Sequence, residues 1–265
     1  GALTLPFTPT AVYVDGALSD QSQVKQYDVY YYNSGLRTVW VYSDRATGTL
    51  TDLSPSKTAP TSATVAGVTY SIGSSTASYK LSSQGQFSQG DVVTVLLGMD
   101  GDIVDVVSAQ NSETTYYGVV VASSKAASSS STSSSSTTFA QAQTQVACSD
   151  GTVRTFYHSG GAQSVGKLVS VAVTQSGTTL SAIPRRSLSG TVNSAGTRFA
   201  GYSFADNVEI LDTDGDGGYA RIYPSRLAGY SLTDDDVLFY SLDSTGSIDC
   251  LILDEATGDT YTYAF

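Results

Sequence analysis

Residues 90–107 carry the pattern that most narrows what this chain can become. Two runs of β-branched and aliphatic residues, Val92-Val93-Thr94-Val95-Leu96-Leu97 and Ile103-Val104-Asp105-Val106-Val107, enclose Met99-Asp100-Gly101-Asp102. Branched side chains fit the pleated surface of a strand, and an Asp-Gly pair takes the positive φ angles of a tight turn at little steric cost. The stretch therefore predicts a β-hairpin. Nowhere do apolar residues recur at i, i+3, i+4 and i+7 over a convincing helical length, so the whole chain is expected to be all-β.

The hairpin recurs. An earlier copy runs Tyr27-Asp28-Val29-Tyr30-Tyr31-Tyr32, turns at Asn33-Ser34-Gly35 and returns through Thr38-Val39-Trp40-Val41-Tyr42; a lone strand, Ala11-Val12-Tyr13-Val14, precedes it. Later copies are Gly166–Val173 with Leu180–Ile183, and Asp236–Tyr240 with Ile248–Leu253. Short glycine-led strands precede the last three hairpins: Gly48-Thr49-Leu50, Gly118-Val119-Val120-Val121 and Gly190-Thr191-Val192. A second strand or hairpin follows each, and then a polar stretch anchored at Leu81, Val165 or Leu227.

That order suits a small five-stranded barrel, OB-like or SH3-like, whose closure removes exposed edges. The expected architecture is a tandem array of such units joined by short linkers. Residues 1–47 form a partial unit with a hairpin, followed by full units at 48–112, 113–186 and 187–265. The Ser/Thr tract at 123–138 cannot bury apolar surface and reads as a long loop inserted between the first and second strands of the 113–186 unit.

Charge narrows the partners. Thirteen Lys and Arg against 24 Asp and Glu give a net charge of −11. Such a surface repels phosphate backbones and anionic headgroups, so nucleic acid is not an expected partner. No run approaches the ~20 apolar residues of a membrane helix, so membrane insertion is not expected either. Two cysteines, Cys148 and Cys250, make no disulfide framework and have no zinc spacing; each reads as a small buried apolar residue in a strand. The chain is expected to be a fragment whose targeting and anchoring elements lie outside it.

The residues that could carry chemistry are few. The single histidine, His158, stands without a nucleophile elbow and reads as a strand-end residue, and no catalytic group is assigned. Asp212, Asp214 and Asp216, with Gly215, match the first half of a calcium loop, in which carboxylates converge on one ion. The second half fails, because Tyr223 stands where a bidentate Glu belongs. The competing reading is an acidic glycine-rich hairpin turn. Tyr30, Tyr32 and Trp40 lie in a tyrosine-rich hairpin and are the candidate glycan-stacking residues. Strand alternation turns Tyr31 away from Tyr30 and Tyr32, and cross-strand packing with Trp40 is the plainer explanation of the cluster.

Three segments resemble surface proteins that carry S-layer homology repeats in anaerobic Gram-positive gut bacteria, in the region outside those repeats. They are Thr64–Gly73, Gly90–Gly101 and Tyr223–Gly229; Asp254–Tyr263 is similar in phrasing. The resemblance implies an exported, wall-associated protein and supplies no catalytic residues. The expected function is a non-enzymatic stalk, spacer or display region without a cofactor; the alternative is a module that binds glycan or cell-wall polymer.

Overall fold

The computed structural model describes residues 5–109, 114–125, 141–174 and 176–258. Most of the Ser/Thr tract, residues 126–140, lies outside them, as does the end of the C-terminal segment from 259. The fold is all-β, and the chain divides into two compact units, Gly1–Ser112 and Glu113–Phe265.

The first unit opens with β1 (Ala11–Val14), β2 (Ala17–Ser19), β3 (Val29–Asn33) and β4 (Thr38–Tyr42), ordered β2-β1-β4-β3. The β1–β2 turn is Asp15-Gly16, both at positive φ, as a two-residue hairpin loop requires. The β3–β4 hairpin forms where the sequence predicts it, whereas β1 lies parallel to β4. A second sheet follows: β5 (Arg45–Ser54), β6 (Ser62–Val65), β7 (Val68–Ser71), β8 (Val92–Leu97) and β9 (Ile103–Ser108), ordered β7-β6-β5-β8-β9. A parallel bridge between Ile72 and Ile103 brings the end of β7 to the start of β9.

One departure from the strand-only sequence reading is helical. Helix α1 (Ser75–Leu81) lies between β7 and β8. Ser74 caps it by accepting the Ala77 N–H, and Ala77 and Leu81 are buried. Seven residues are too few for a helical period to stand out, and a helix this short depends on tertiary packing. The Lys80 ammonium donates to the Asp105 carboxylate at 2.6 Å, tying α1 to β9.

The second unit starts with β10 (Thr114–Ser124), β11 (Ala142–Cys148), β12 (Val153–His158), β13 (Leu168–Thr174) and β14 (Gly177–Ala182). Their order, β12-β11-β10-β13-β14, matches that of the β5–β9 sheet. The remaining strands are β15 (Gly190–Thr191), β16 (Arg198–Phe199), β17 (Tyr202–Thr213), β18 (Tyr219–Ile222), β19 (Ser231–Leu232), β20 (Val237–Leu242) and β21 (Ile248–Asp254). They pair as β16-β17-β21-β20, with β18 also on β17 and β15 on β19. β21 runs parallel to β17 and antiparallel to β20. Val119, Ala147, Leu211, Cys250 and Ile252 join in one buried cluster, so the segments 113–186 and 187–265 share a core within this unit. Leu81 and Leu227 are fully buried anchors, but Val165 is 47% exposed and is not a buried anchor.

Two glycines hold equivalent places in the matching sheets. Gly48 of β5 lies opposite Val93, and Gly118 of β10 lies opposite Val169. A Cβ at Gly48 would sit 2.5 Å from the Ala66 Cβ, and one at Gly118 would sit 2.2 Å from the Ala147 carbonyl oxygen. Two residues further on, the pairing register shifts in both strands, at Leu50/Asp52 and at Val120/Ala122. Such a shift bends a strand and increases its twist. Gly118→Ala is therefore expected to cost about 1–3 kcal/mol through overpacking. Gly161→Ala, with nothing within 4 Å of the new Cβ, serves as the control. Urea denaturation of the full chain measures both.

Candidate functional site

Aromatic residues converge on the first sheet. Tyr13 of β1 lies opposite Leu18 of β2 and Trp40 of β4, and Trp40 lies opposite Tyr31 of β3. Directly opposed residues share a face, so Leu18, Tyr13, Trp40 and Tyr31 form one row across all four strands. The Tyr13 and Trp40 rings are 6.5 Å apart with planes 12° from parallel. Tyr42, two residues beyond Trp40 and so on the same face, meets the Tyr31 ring edge-on at 5.8 Å. The Met99 backbone N–H donates to the Tyr31 hydroxyl at 3.4 Å, which steadies that end of the row against the β8–β9 turn.

The opposite face holds the core of this sheet. Val12, Val39 and Val41 are buried there, with Leu5, Phe7, Val14 and Val24 packed against them. Tyr30 and Tyr32 belong to this face, opposite Val41 and Val39. They are 42% and 50% exposed, and their rings lie 6.5 Å apart. The three stacking residues expected from the sequence are thus divided, with Tyr30 and Tyr32 on one face and Trp40 on the other. Alternation explains the division, because the register sets Trp40 against Tyr31. Tyr13 enters the row through the parallel pairing of β1 with β4, which no local pattern announces. Arg45 of β5 donates to the Asp28 carboxylate at 2.8 Å, next to the start of β3.

The acidic stretch at 212–218 joins β17 to β18. Asp212 is fully buried, and its carboxylate accepts the Ala256 N–H at 3.1 Å, the Thr257 N–H at 2.8 Å and the Thr257 hydroxyl at 2.6 Å. Asp214 turns onto its own loop, where Oδ1 accepts the N–H groups of Asp216 and Gly218 at 2.9 and 2.8 Å. These carboxylates point to separate backbone donors. Among the described residues, no cluster of three or more His, Cys, Asp or Glu is placed to hold a metal ion.

His158, Cys148 and Cys250 are interior, and Glu209 is partly so. His158 ends β12 and is buried, with Nε2 2.8 Å from the Thr144 hydroxyl oxygen; burial lowers its pKa and favours the neutral ring. Cys148 and Cys250 are both buried free thiols. Burial raises the Cys148 pKa and pushes that of Cys250 up to about 12, so both stay protonated and poorly nucleophilic. The Ser149 hydroxyl donates to Glu209, and Arg221 donates to the Asp150 carbonyl at 2.7 Å. Burial raises the Glu209 pKa, against the opposing pull of the Ser149 hydrogen bond.

No protein-family model, curated protein or solved structure matches the chain.

Two outcomes follow from this geometry. Millimolar calcium is expected to leave the melting temperature of the full chain where chelator leaves it; a rise of several degrees would show that the Asp212–Asp216 carboxylates rearrange around the ion. Glu209 has a folded pKa above the ordinary value of 4.5, so ionising it opposes folding at neutral pH, and that cost vanishes as the pH falls below 4.5. Glu209→Gln should therefore gain stability over the parent at neutral pH, with the gain shrinking on acidification. Denaturant midpoints across that range measure it, and a gain independent of pH would contradict it.

Proposed function

We propose that this chain is a non-enzymatic region of a wall-associated surface protein, acting as stalk, spacer or display segment and built from OB-like units. The repeated strand cycle carries this reading. Counted from β5 and from β10, the strands that hold Gly48 and Gly118 in their interiors, both sheets adopt the order third, second, first, fourth, fifth. In the β5–β9 sheet the Ile72–Ile103 bridge adds a parallel meeting of third with fifth.

The last segment supports the same cycle in another form. Taking β15, β16 and β17 as its first three strands and β20 and β21 as its last two, third and fifth again run parallel. The first strand bridges the second through Val192 and Phe199, and it pairs with β19, just ahead of the fourth. A short helical element separates third from fourth in two cases, α1 and the 3-10 turn Pro224–Leu227. Repetition of one buried plan with varied surfaces suits a structural array, in which each unit supplies reach and solubility more than chemistry.

Wall association rests on the likeness of Thr64–Gly73, Gly90–Gly101 and Tyr223–Gly229 to surface proteins with S-layer homology repeats. The net charge of −11 suits an exposed, soluble surface. Antibodies raised against the chain should label intact producing cells, and brief protease treatment of those cells should remove the signal. Labelling that appears only after lysis would contradict the proposal.

A further inference from the structure

We propose that the Leu18–Tyr13–Trp40–Tyr31 row is a binding site for an uncharged polysaccharide. The core of this sheet lies on its other face, around Val12, Val39 and Val41, so the row is not needed to fill that core. Its ends are open to solvent, with Leu18 70% and the neighbouring Met99 56% exposed.

The chemistry of the row suits a sugar. The C–H face of a pyranose packs on an aromatic ring, and the hydroxyls at its rim need hydrogen-bond partners. Tyr13 and Trp40 present nearly parallel rings on adjacent strands, and Tyr31 continues the row. Among the described residues, the Trp40 indole N–H and the Tyr13 and Tyr42 hydroxyls have no hydrogen-bond partner. None of these atoms is a buried polar atom without a partner, so the tips reach the surface of half-buried side chains and are available to a ligand.

Charge and size select the occupant. Every face position of the row on β1, β3 and β4 is uncharged: alanine, valine, threonine, asparagine or aromatic. A chain of net charge −11 repels anionic polymers, and the row offers no cation to offset that repulsion. A protein interface of ordinary size covers about 800 Å² on each partner. One row of side chains is narrow for that and comparable in width to a single glycan strand.

Trp40 is the only tryptophan in the chain, so its emission reports on this face directly. The full chain is titrated with hydroxyethyl cellulose, laminarin, galactomannan and dextran, with polygalacturonate as the anionic comparison. At least one neutral polymer should give a saturable change in Trp40 emission, and polygalacturonate none. Affinity gel electrophoresis with that polymer should show Trp40→Ala and Tyr13→Ala weakened about tenfold or more, about 1.4 kcal/mol or more. The double variant Tyr30→Ala/Tyr32→Ala, on the opposite face, should bind like the parent. If Trp40→Ala does not fold, Trp40→Phe preserves cross-strand packing, removes the indole N–H and should also bind more weakly. Absence of saturable binding to all four neutral polymers overturns the proposal. So does equal binding of polygalacturonate, or a loss that follows Tyr30 and Tyr32 instead of Tyr13 and Trp40.

Discussion

At Gly48 and Gly118 the first strand of a five-stranded sheet crosses its neighbour with no space for a side chain, and two residues later the pairing register shifts. These features act together. Close approach lets β5 pair with both β6 and β8, and lets β10 pair with both β11 and β13. The register shift then bends the strand, and added twist brings the far strands of a sheet towards each other. In the first unit this curl ends in the meeting of Ile72 with Ile103. A side chain at either glycine would part the strands at the point where both halves of the sheet are joined.

The four-stranded sheet solves a different problem. It is too small to be buried on both faces, and it packs Val12, Val39 and Val41 on one. Its other face carries Tyr13, Trp40, Tyr31 and Tyr42, which supply apolar area with few rotatable bonds and keep polar tips at the water boundary. The result is a firm uncharged surface on an otherwise acidic chain.

Local features were legible in the sequence. The hairpins at Val29–Tyr42, Val92–Ser108, Leu168–Ala182 and Val237–Asp254 follow from alternating runs around turn residues, which act between near neighbours. Helix α1 was hidden by its length, since Ser75–Leu81 makes about two turns and buries only Ala77 and Leu81. The parallel pairings of β1 with β4 and of β17 with β21 were hidden for another reason: their partners are distant in the chain. Alternation correctly separated Tyr31 from Tyr30 and Tyr32. Placing Trp40 required the cross-strand register, and placing Tyr13 required the parallel pair. Likewise Asp212 has calcium-loop spacing, but its carboxylate is engaged by Ala256 and Thr257, 44 and 45 residues later. Val165 stands at the expected place of an anchor, yet it is only half covered.

Amide hydrogen exchange of the full chain tests the organising role of the strands that carry Gly48 and Gly118 most directly. The amides of β5 from Ala46 to Leu50, where every side chain is buried, and those of β10 around Gly118 to Val120 should exchange slowest in their sheets. The outer strands of those sheets, β7 and β14, should open first. Exchange in β5 and β10 as fast as in those outer strands would contradict the account.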